Sequence, residues 1–315
     1  MTNGRRPLWR DPWLLGYAAL YVVLLLALHL REGFGLGEPL LVLGIVGVAF
    51  SALAWWSTRG ASRHAVPVRE ARAECGLLAA YLVLVVVPFL AMGGGFVRRS
   101  VTNPRTLEVA LLALKLAIFV AVPFALLRNR FRYSWRDFVD TYGRWDGHGR
   151  AVVVMALALV SFQALFGQGL AHLKGAAVDP TPLATGVLLA FLWLVFEVGL
   201  VEEFFFRALV QSRVAALLGS EVAGVVLMSL VFGLAHAPGM YLRPAVTQEA
   251  LGSAPSLLGA IGYSVVITSV TGFFLGILWA RTRNLVSLML IHAAGDLVPN
   301  LVPFLRTWGF VASVS

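Results

Sequence analysis

Two adjacent glutamates, Glu202 and Glu203, are the first residues that could do chemistry, because they lie at the end of a long apolar stretch that also contains Arg207. An ionised side chain at the centre of a membrane helix costs roughly 2.5–3.5 kcal/mol. Three ionisable residues so close together therefore indicate a function other than anchoring the helix in the membrane. At about 100° per residue, Glu203 and Arg207 share a helix face, whereas Glu202 is turned from Arg207 by about 140°. We therefore expect Arg207 to neutralise Glu203 and Glu202 to serve as a general base or acid.

Two histidines on later apolar segments could work with that carboxylate. Phe232 and His236 are four residues apart on a segment that we expect to end as a helix near Pro238. His292 and Asp296 have the same spacing on the last segment, so both lie on one helix face. Taken singly, each motif has a simpler interpretation: a histidine bonded to a neighbouring backbone carbonyl, or a local His-Asp hydrogen bond.

Depth in the membrane indicates that these groups can meet. With a rise of about 1.5 Å per residue, Glu202, the two histidines and Asp296 lie about 12 to 25 Å from the cytoplasmic ends of their helices. Helix tilt accommodates this scatter, so all four can share one layer. Such convergence favours a functional site over four separate structural roles.

A site of this composition predicts hydrolysis by one of two mechanisms. Without a metal, Glu202 assisted by His236 would deprotonate a water, and His292 with Asp296 would stabilise the oxyanion. With a divalent metal such as zinc, Glu202, His236 and His292 would be the ligands. We expect no cofactor, because the sequence has no compact two-histidine ligand motif and no H-E-x-x-H.

Composition determines which elements position these residues. The chain is 59% hydrophobic and only 13% charged, with a mean hydropathy of +0.83, far from the soluble average of about 25% charged residues. A membrane helix needs about 20 apolar residues, and that length recurs along the chain. We therefore predict an all-α polytopic bundle of eight to nine transmembrane helices. The expected spans are 13–30, 39–57, 76–95, 107–127, 151–171, 183–210, 221–238, 256–280 and 285–304.

The net charge of +9 is explained by membrane topology rather than by nucleic-acid binding. The basic residues lie in the connections between helices and are concentrated in alternate ones, which predicts a cytoplasmic N-terminus. The lipid bilayer is the expected partner of these residues, and no nucleic acid is expected.

Cys75 is the single cysteine, so an intramolecular disulfide is impossible. The sequence also has no P-loop and no G-x-G-x-x-G after a strand, which argues against nucleotide binding.

The predicted role of the chain changes near residue 150. Residues 1–150 are predicted to hold the N-terminal helices and a basic cytoplasmic loop, residues 151–305 a catalytic membrane core, and residues 306–315 a tail. The ionisable groups within apolar segments are concentrated in the second part. A G-x-x-x-G pair, Gly272 and Gly276, permits close helix contact and favours internal packing over dimerisation.

The three motifs, E-E-x-x-x-R, F-x-x-x-H and H-x-x-x-[N/D], in this order on successive apolar helices, resemble those of the CPBP intramembrane proteases. This family includes the eukaryotic CAAX prenyl endopeptidases and bacterial bacteriocin-processing or Abi proteins. The resemblance covers roughly residues 150–305. It implies that Glu202 activates water, that Glu203 and Arg207 support it, and that His236 is its partner.

The resemblance also implies that His292 and Asp296 stabilise the oxyanion, with one departure from the pattern. The prenyl endopeptidases have an amide at the last position, whereas Asp296 donates a hydrogen bond only when protonated. This departure, with a strong excess of arginine over lysine typical of a GC-rich bacterial genome, suggests a bacterial-type member in the plasma membrane. Its substrate need not be prenylated.

The expected function is therefore an intramembrane endopeptidase of glutamic or metallo type. It would hydrolyse a peptide bond in a membrane-embedded or membrane-associated protein or peptide, near the C-terminus of the substrate. The alternative is a non-catalytic membrane protein that retains the motifs, either a transporter with a proton-relay carboxylate or an immunity or scaffold protein.

Overall fold

The helices of this protein follow its apolar segments closely. A computed structural model describes residues 10–134, 136–137, 147–175, 180–242 and 255–311. Within these ranges the ordered elements are helices, and nine of them are long and apolar enough to cross a membrane. The predicted all-α bundle of eight to nine spans is confirmed. The helices are α1 Pro12–Glu32, α2 Gly37–Ser57, α3 Ala71–Ser100, α4 Pro104–Phe131, α5 Gly149–Phe166, the short α6 Gly169–Gly175, α7 Thr181–Leu218, α8 Glu221–Leu242, α9 Leu257–Thr282 and α10 Leu285–Trp308.

Helix α10, which carries His292 and Asp296, has a polar cap at each end. The Asn284 side chain accepts a hydrogen bond of 2.8 Å from the backbone N–H of Ser287, which satisfies one donor of the first turn. At the other end, Gly309 adopts a left-handed conformation with φ of 81°, which glycine tolerates without strain. Both predicted ends of this helix are close to the observed ones.

Several helix ends differ from those expected from the sequence. Helix α7 has the largest difference, since it continues to Leu218 rather than ending at residue 210. Helix α8 does not end near Pro238 but continues to Leu242, with Pro238 inside it. In an apolar environment, ending a helix leaves several backbone groups without hydrogen-bond partners, whereas a proline inside the helix leaves fewer such groups unsatisfied. Helix α5 ends at Phe166 rather than near residue 171, because Gly167 is extended with φ of −89° and ψ of 163°.

The chain forms two compact units that each combine distant segments. The first comprises Met1–Ala52, Pro67–Gly93 and Leu209–Ala280, and the second comprises Leu53–Val66, Gly94–Ala208 and Arg281–Ser315. The predicted division into residues 1–150, 151–305 and 306–315 concerns function and stays a prediction. The end of that tail, after residue 311, lies outside the described residues.

The first unit is held by close helix packing and by buried polar bonds. Gly272 lies against the backbone of Ser229, where an added Cβ would be 2.8 Å from the Ser229 Cα. Gly276 accepts a hydrogen bond of 2.9 Å at its carbonyl from the Gln211 side chain. The internal packing predicted for the Gly272 and Gly276 pair is thus confirmed. Elsewhere in this unit, Arg213 and Glu74 form a fully buried ion pair at 2.9 Å.

The second unit is organised around α10, which packs against α5 and α7. Gly199 of α7 lies directly against Met289 of α10: an added Cβ would be 2.6 Å from the Met289 carbonyl oxygen and 2.9 Å from its Cα. Gly295 faces Leu159 of α5 at ordinary contact distance, 3.5 Å from an added Cβ. These contacts bring the backbone of α10 close to the part of α7 that carries the paired glutamates.

Candidate active site

Helix α7 presents the glutamates from a stretch of widened turns. Residues Val195–Leu200 and Glu203–Gln211 form π-helical turns with i→i+5 hydrogen bonds, and Glu202 lies between them. Such turns often occur at functional sites, but α2, α3, α4 and α9 contain them as well. The widened turns therefore do not identify the site, and the side-chain geometry must do so.

Glu203 and Arg207 form the ion pair that their spacing predicts. The Arg207 Nε lies 3.5 Å from the Glu203 Oε2, and the two side chains are 1% and 0% exposed. Removing one partner of such a pair leaves an uncompensated buried charge, which is strongly destabilising. Glu203 is therefore part of the internal framework and is not open to a substrate.

His292 contacts Glu203 directly, and this contact was not predicted. Its Nδ1 lies 2.6 Å from the Glu203 Oε1, within the buried interior of the second unit. Because an ionised carboxylate only accepts hydrogen bonds, Nδ1 carries the hydrogen and donates it. The bond orients the imidazole so that Nε2 is directed away from Glu203.

The Nε2 side of His292 faces two further carboxylates. The Glu202 Oε2 lies 3.9 Å from Nε2, and the Asp296 Oδ2 lies 4.0 Å from it. Both distances exceed a direct hydrogen bond. Glu202 and Asp296 are 21% and 36% exposed, in contrast to the fully buried Glu203. The accessible edge of the cluster thus consists of Glu202 and Asp296, both of which face the His292 Nε2.

Gly199 makes this arrangement possible, and sequence reasoning did not single it out. It precedes Glu203 by one helical turn, and its contact partner Met289 precedes His292 by one turn. The two helices run antiparallel, and this contact lies within one turn of both polar residues, so the glycine sets the distance between the helix backbones that carry the carboxylate and the imidazole. A glycine one turn before a buried polar pair on an apolar helix is the signal that could have found it.

His236 and Phe232 belong to the first unit. The His236 Nδ1 lies 2.8 Å from the Phe232 carbonyl oxygen, and the two rings pack edge to face with centroids 4.9 Å apart. This is the backbone bond that the simpler interpretation of a lone histidine predicted. It engages Nδ1 as the donor, so a neutral ring has its lone pair on Nε2. Gly233 allows the close approach, since an added Cβ would be 2.5 Å from the Ser264 carbonyl oxygen.

A second ionisable pair of the second unit lies earlier on α7. Lys115 of α4 donates a hydrogen bond to Glu197, and the side chains are 30% and 20% exposed. The sequence does not indicate this pairing, because the two residues lie on different helices. Because each neutralises the other, the pair explains two of the charges in the apolar segments.

Metal ligation was the alternative role for Glu202, His236 and His292. Among the residues that the structure describes, no group of three or more His, Cys, Asp or Glu side chains is arranged to hold a metal ion. The expected absence of a cofactor stays a prediction, and so does the zinc alternative.

Comparison with known proteins adds one match. Residues 184–298 match the family model of the type II CAAX prenyl endopeptidase Rce1-like proteins. These residues form an Rce1-like domain. The match begins within α7 and ends within α10, so it contains every residue of the predicted site. Comparisons with curated proteins and with solved structures found no match.

The Rce1-like domain confirms the resemblance that the three motifs indicated. It supports a CAAX-type intramembrane endopeptidase as the general class of this membrane protein. Because the match begins within α7, the helices α1 to α6 lie outside it.

Proposed function

We propose that this protein is an intramembrane endopeptidase that uses a water activated by Glu202 to hydrolyse a peptide bond. One observation carries the proposal: His292 donates to the buried Glu203 through Nδ1 at 2.6 Å while its Nε2 faces the more exposed Glu202 at 3.9 Å. A base, a polar group that faces it and a carboxylate that orients this polar group by a hydrogen bond are the usual parts of a hydrolytic site.

The reaction proceeds through a tetrahedral intermediate. Glu202 takes a proton from water, and the hydroxide adds to the carbonyl carbon of the substrate. His292, protonated and donating through Nε2, stabilises the oxyanion together with a protonated Asp296. Glu202 then delivers its proton to the leaving nitrogen as the carbon–nitrogen bond breaks. The products are a carboxylic acid and an amine, and the protein returns to its initial state.

Glu203 and Arg207 position His292 in this scheme. The carboxylate that accepts from Nδ1 selects the tautomer and the ring orientation, as supporting carboxylates do for other histidines at reactive sites. Arg207, 1% exposed and 3.5 Å from Glu203, holds that carboxylate in place. His236 is proposed as the partner of Glu202 because of the family resemblance, and the bond of Nδ1 to Phe232 directs a basic Nε2 away from its own helix.

The reaction is proposed to need no metal. The described carboxylates and histidines do not form a three-ligand group, and an ionised glutamate is itself a competent base. Metal analysis of the purified protein, with activity measured before and after chelation, tests this point. Loss of activity on chelation that zinc restores would favour the metallo-type mechanism.

The proposed setting is a bacterial plasma membrane with the N-terminus in the cytoplasm. The asymmetry of basic residues between alternate connections supports this orientation. The proposed substrate is a membrane-embedded or membrane-associated protein or peptide, cleaved near its C-terminus. The proximity of Glu202 and Asp296 at the accessible edge of an intramembrane cluster supports a substrate that reaches the site within the bilayer.

Glu202→Gln tests the function, because glutamine keeps the shape of the side chain but cannot take a proton from water. Membrane proteomes are compared between a deletion strain and strains complemented with the parent chain, Glu202→Gln or Glu221→Gln. The last variant makes the same chemical change on another partly buried glutamate, in the first turn of α8. We expect uncleaved precursors in the deletion and Glu202→Gln strains, with a rate loss of roughly 10²–10⁴-fold for purified Glu202→Gln on a precursor so identified.

Two results would contradict this proposal. If Glu202→Gln processed the precursors as fast as the parent chain, Glu202 would not be the base. If no precursor accumulated even in the deletion strain, proteolysis would lose its support and a transporter or scaffold role would gain it. Comparable thermal stability of parent and variant proteins in detergent shows that any loss is chemical.

A further inference from the structure

We propose that one end of the second unit binds the phosphate of an anionic phospholipid headgroup, independently of the proteolytic site. The site consists of three arginines, Arg59, Arg150 and Arg281, around the indole of Trp55. These four residues, called the arginine cluster below, come from three separate stretches of the chain. Their convergence is a property of the tertiary structure.

Two of the guanidinium groups lie over the indole ring of Trp55. The Arg59 Cζ is 4.1 Å from the centroid of the Trp55 ring, and the Arg281 Cζ is 5.4 Å from it. A cation over an indole face is favourable. Placing two cations on one indole, however, brings like charges together, and that repulsion favours a bound anion.

Arg150 joins the cluster through the end of α2. Its Nε donates to the Ser57 carbonyl oxygen at 2.9 Å, and its guanidinium also donates to the Arg59 carbonyl oxygen. Arg281 donates from Nε to the Thr58 Oγ1 at 2.5 Å. These acceptors are all neutral. Each guanidinium has five N–H donors in a planar fork, so donors remain in all three side chains for a further acceptor.

The structure also shows why helix capping does not account for the cluster. A helix C-terminus carries only about half a negative charge, which one cation near the last turn offsets. Here three cations surround the end of α2. Within the described part of the chain, neither Arg59, Arg150 nor Arg281 forms an ion pair with a carboxylate. The excess positive charge indicates an anionic ligand.

The position of the cluster indicates that this anion belongs to a lipid. The arginines lie at the ends of α2 and α9 and at the start of α5, which is the level of the headgroups for helices that span a bilayer. Trp55 and Trp56 are 48% and 47% exposed, as expected for aromatic residues at the membrane interface. A phosphodiester accepts from the arginine forks, and the exposed indoles contact the glycerol and upper acyl chains of the same molecule.

Binding of a fluorescent phosphatidylglycerol to the purified full-length protein in phosphatidylcholine nanodiscs tests the proposal. Unlabelled phosphatidylglycerol, phosphatidylcholine and inorganic phosphate serve as competitors. We expect phosphatidylglycerol to displace the probe and phosphatidylcholine to be ineffective. We expect the double variant Arg59→Gln with Arg281→Gln to bind roughly 25-fold more weakly, from about fivefold for each arginine.

Arg130→Gln is the matched control. Arg130 is also exposed and also lies over an aromatic ring, with its Cζ 5.5 Å from the Phe131 centroid, and its substitution removes the same charge outside the arginine cluster. We expect this variant to bind phosphatidylglycerol like the parent. Equal weakening in Arg130→Gln would show that general surface charge attracts the lipid, and would overturn the proposal.

Three further results distinguish a bound lipid headgroup from a free anion or from charge alone. Displacement of the probe by inorganic phosphate at the same concentration as phosphatidylglycerol would overturn the lipid assignment in favour of a free-anion site. The double variant Arg59→Lys with Arg281→Lys keeps the charge but lacks the planar fork, so we expect intermediate binding. If phosphatidylcholine displaced the probe from the parent protein as well as phosphatidylglycerol does, the proposal would be overturned. This result does not depend on any variant.

Discussion

Substituting Gly199 by alanine should separate α7 from α10 and weaken the site without changing any polar group. The added Cβ would lie 2.6 Å from the Met289 carbonyl oxygen, whereas ordinary contact begins at 3.4 Å. The neighbour is backbone and cannot rotate away, so the helices must move apart by about 0.8 Å, the difference between these two distances. A displacement of that size would lengthen the bond between Glu203 and His292 from 2.6 Å to about 3.4 Å.

The expected loss is larger for activity than for stability. Overpacking of this kind costs about 1–3 kcal/mol, so the Gly199→Ala protein should still fold. A misplacement near 1 Å at a reactive site costs about 10²-fold in rate. We expect kcat for a membrane precursor to fall by about that factor while the apparent Tm in detergent falls by only a few degrees. Cleavage kinetics and thermal unfolding of the same preparation measure the two effects.

Gly44→Ala is the control for this experiment. Gly44 also lies in a π-helical turn of a membrane helix, but a Cβ built on it meets nothing within 4 Å. We expect this variant to match the parent in rate and stability. If Gly199→Ala cleaved the precursor as fast as Gly44→Ala, the spacing between α7 and α10 would not control the site, and the role of Gly199 in positioning His292 would be refuted.

Three other substitutions test single contacts of the second unit. Glu203→Gln should lower the unfolding free energy by about 3–5 kcal/mol, measured by denaturation in detergent, because it breaks a fully buried ion pair; unchanged stability would contradict this. Asp296→Asn should retain cleavage activity, since an amide donates a hydrogen bond in any protonation state, whereas Asp296→Leu should lose it. Lys115→Met and Glu197→Gln should each destabilise the protein, and the double variant should be more stable than the sum of the two losses predicts, as a double-mutant cycle would show.

The fold class and the general layout of the helices could be predicted because they depend on local composition. Each apolar segment must satisfy its own backbone hydrogen bonds in the membrane, so a helix of about 20 residues is the only local solution. The pairing of Glu203 with Arg207 was predictable for the same reason, since both residues belong to one helix. The continuation of α8 through Pro238 was not, because the surroundings of a helix decide whether a proline ends it.

The candidate active-site residues were recognisable in the sequence, but the contacts that give each of them its role were not. Residue types and order selected Glu202, His236, His292 and Asp296, and the Rce1-like match covers all of them. The structure then showed that His292 is held by Glu203 and faces Glu202, a pairing across residues far apart in the chain. The spacing of residues within one helix does not indicate which residue of another helix each of them will contact.

The sequence by itself thus determined a polytopic helical protein with a particular set of ionisable residues, because burial in lipid constrains each segment separately. Only the tertiary structure decided which residues of different helices touch. The close contact of Gly199 with Met289 aligns Glu203 with His292, and the meeting of three helix ends collects the arginines around Trp55. Both outcomes depend on the distance and rotation between packed helices, which follow from side-chain volume at the contact rather than from local sequence pattern.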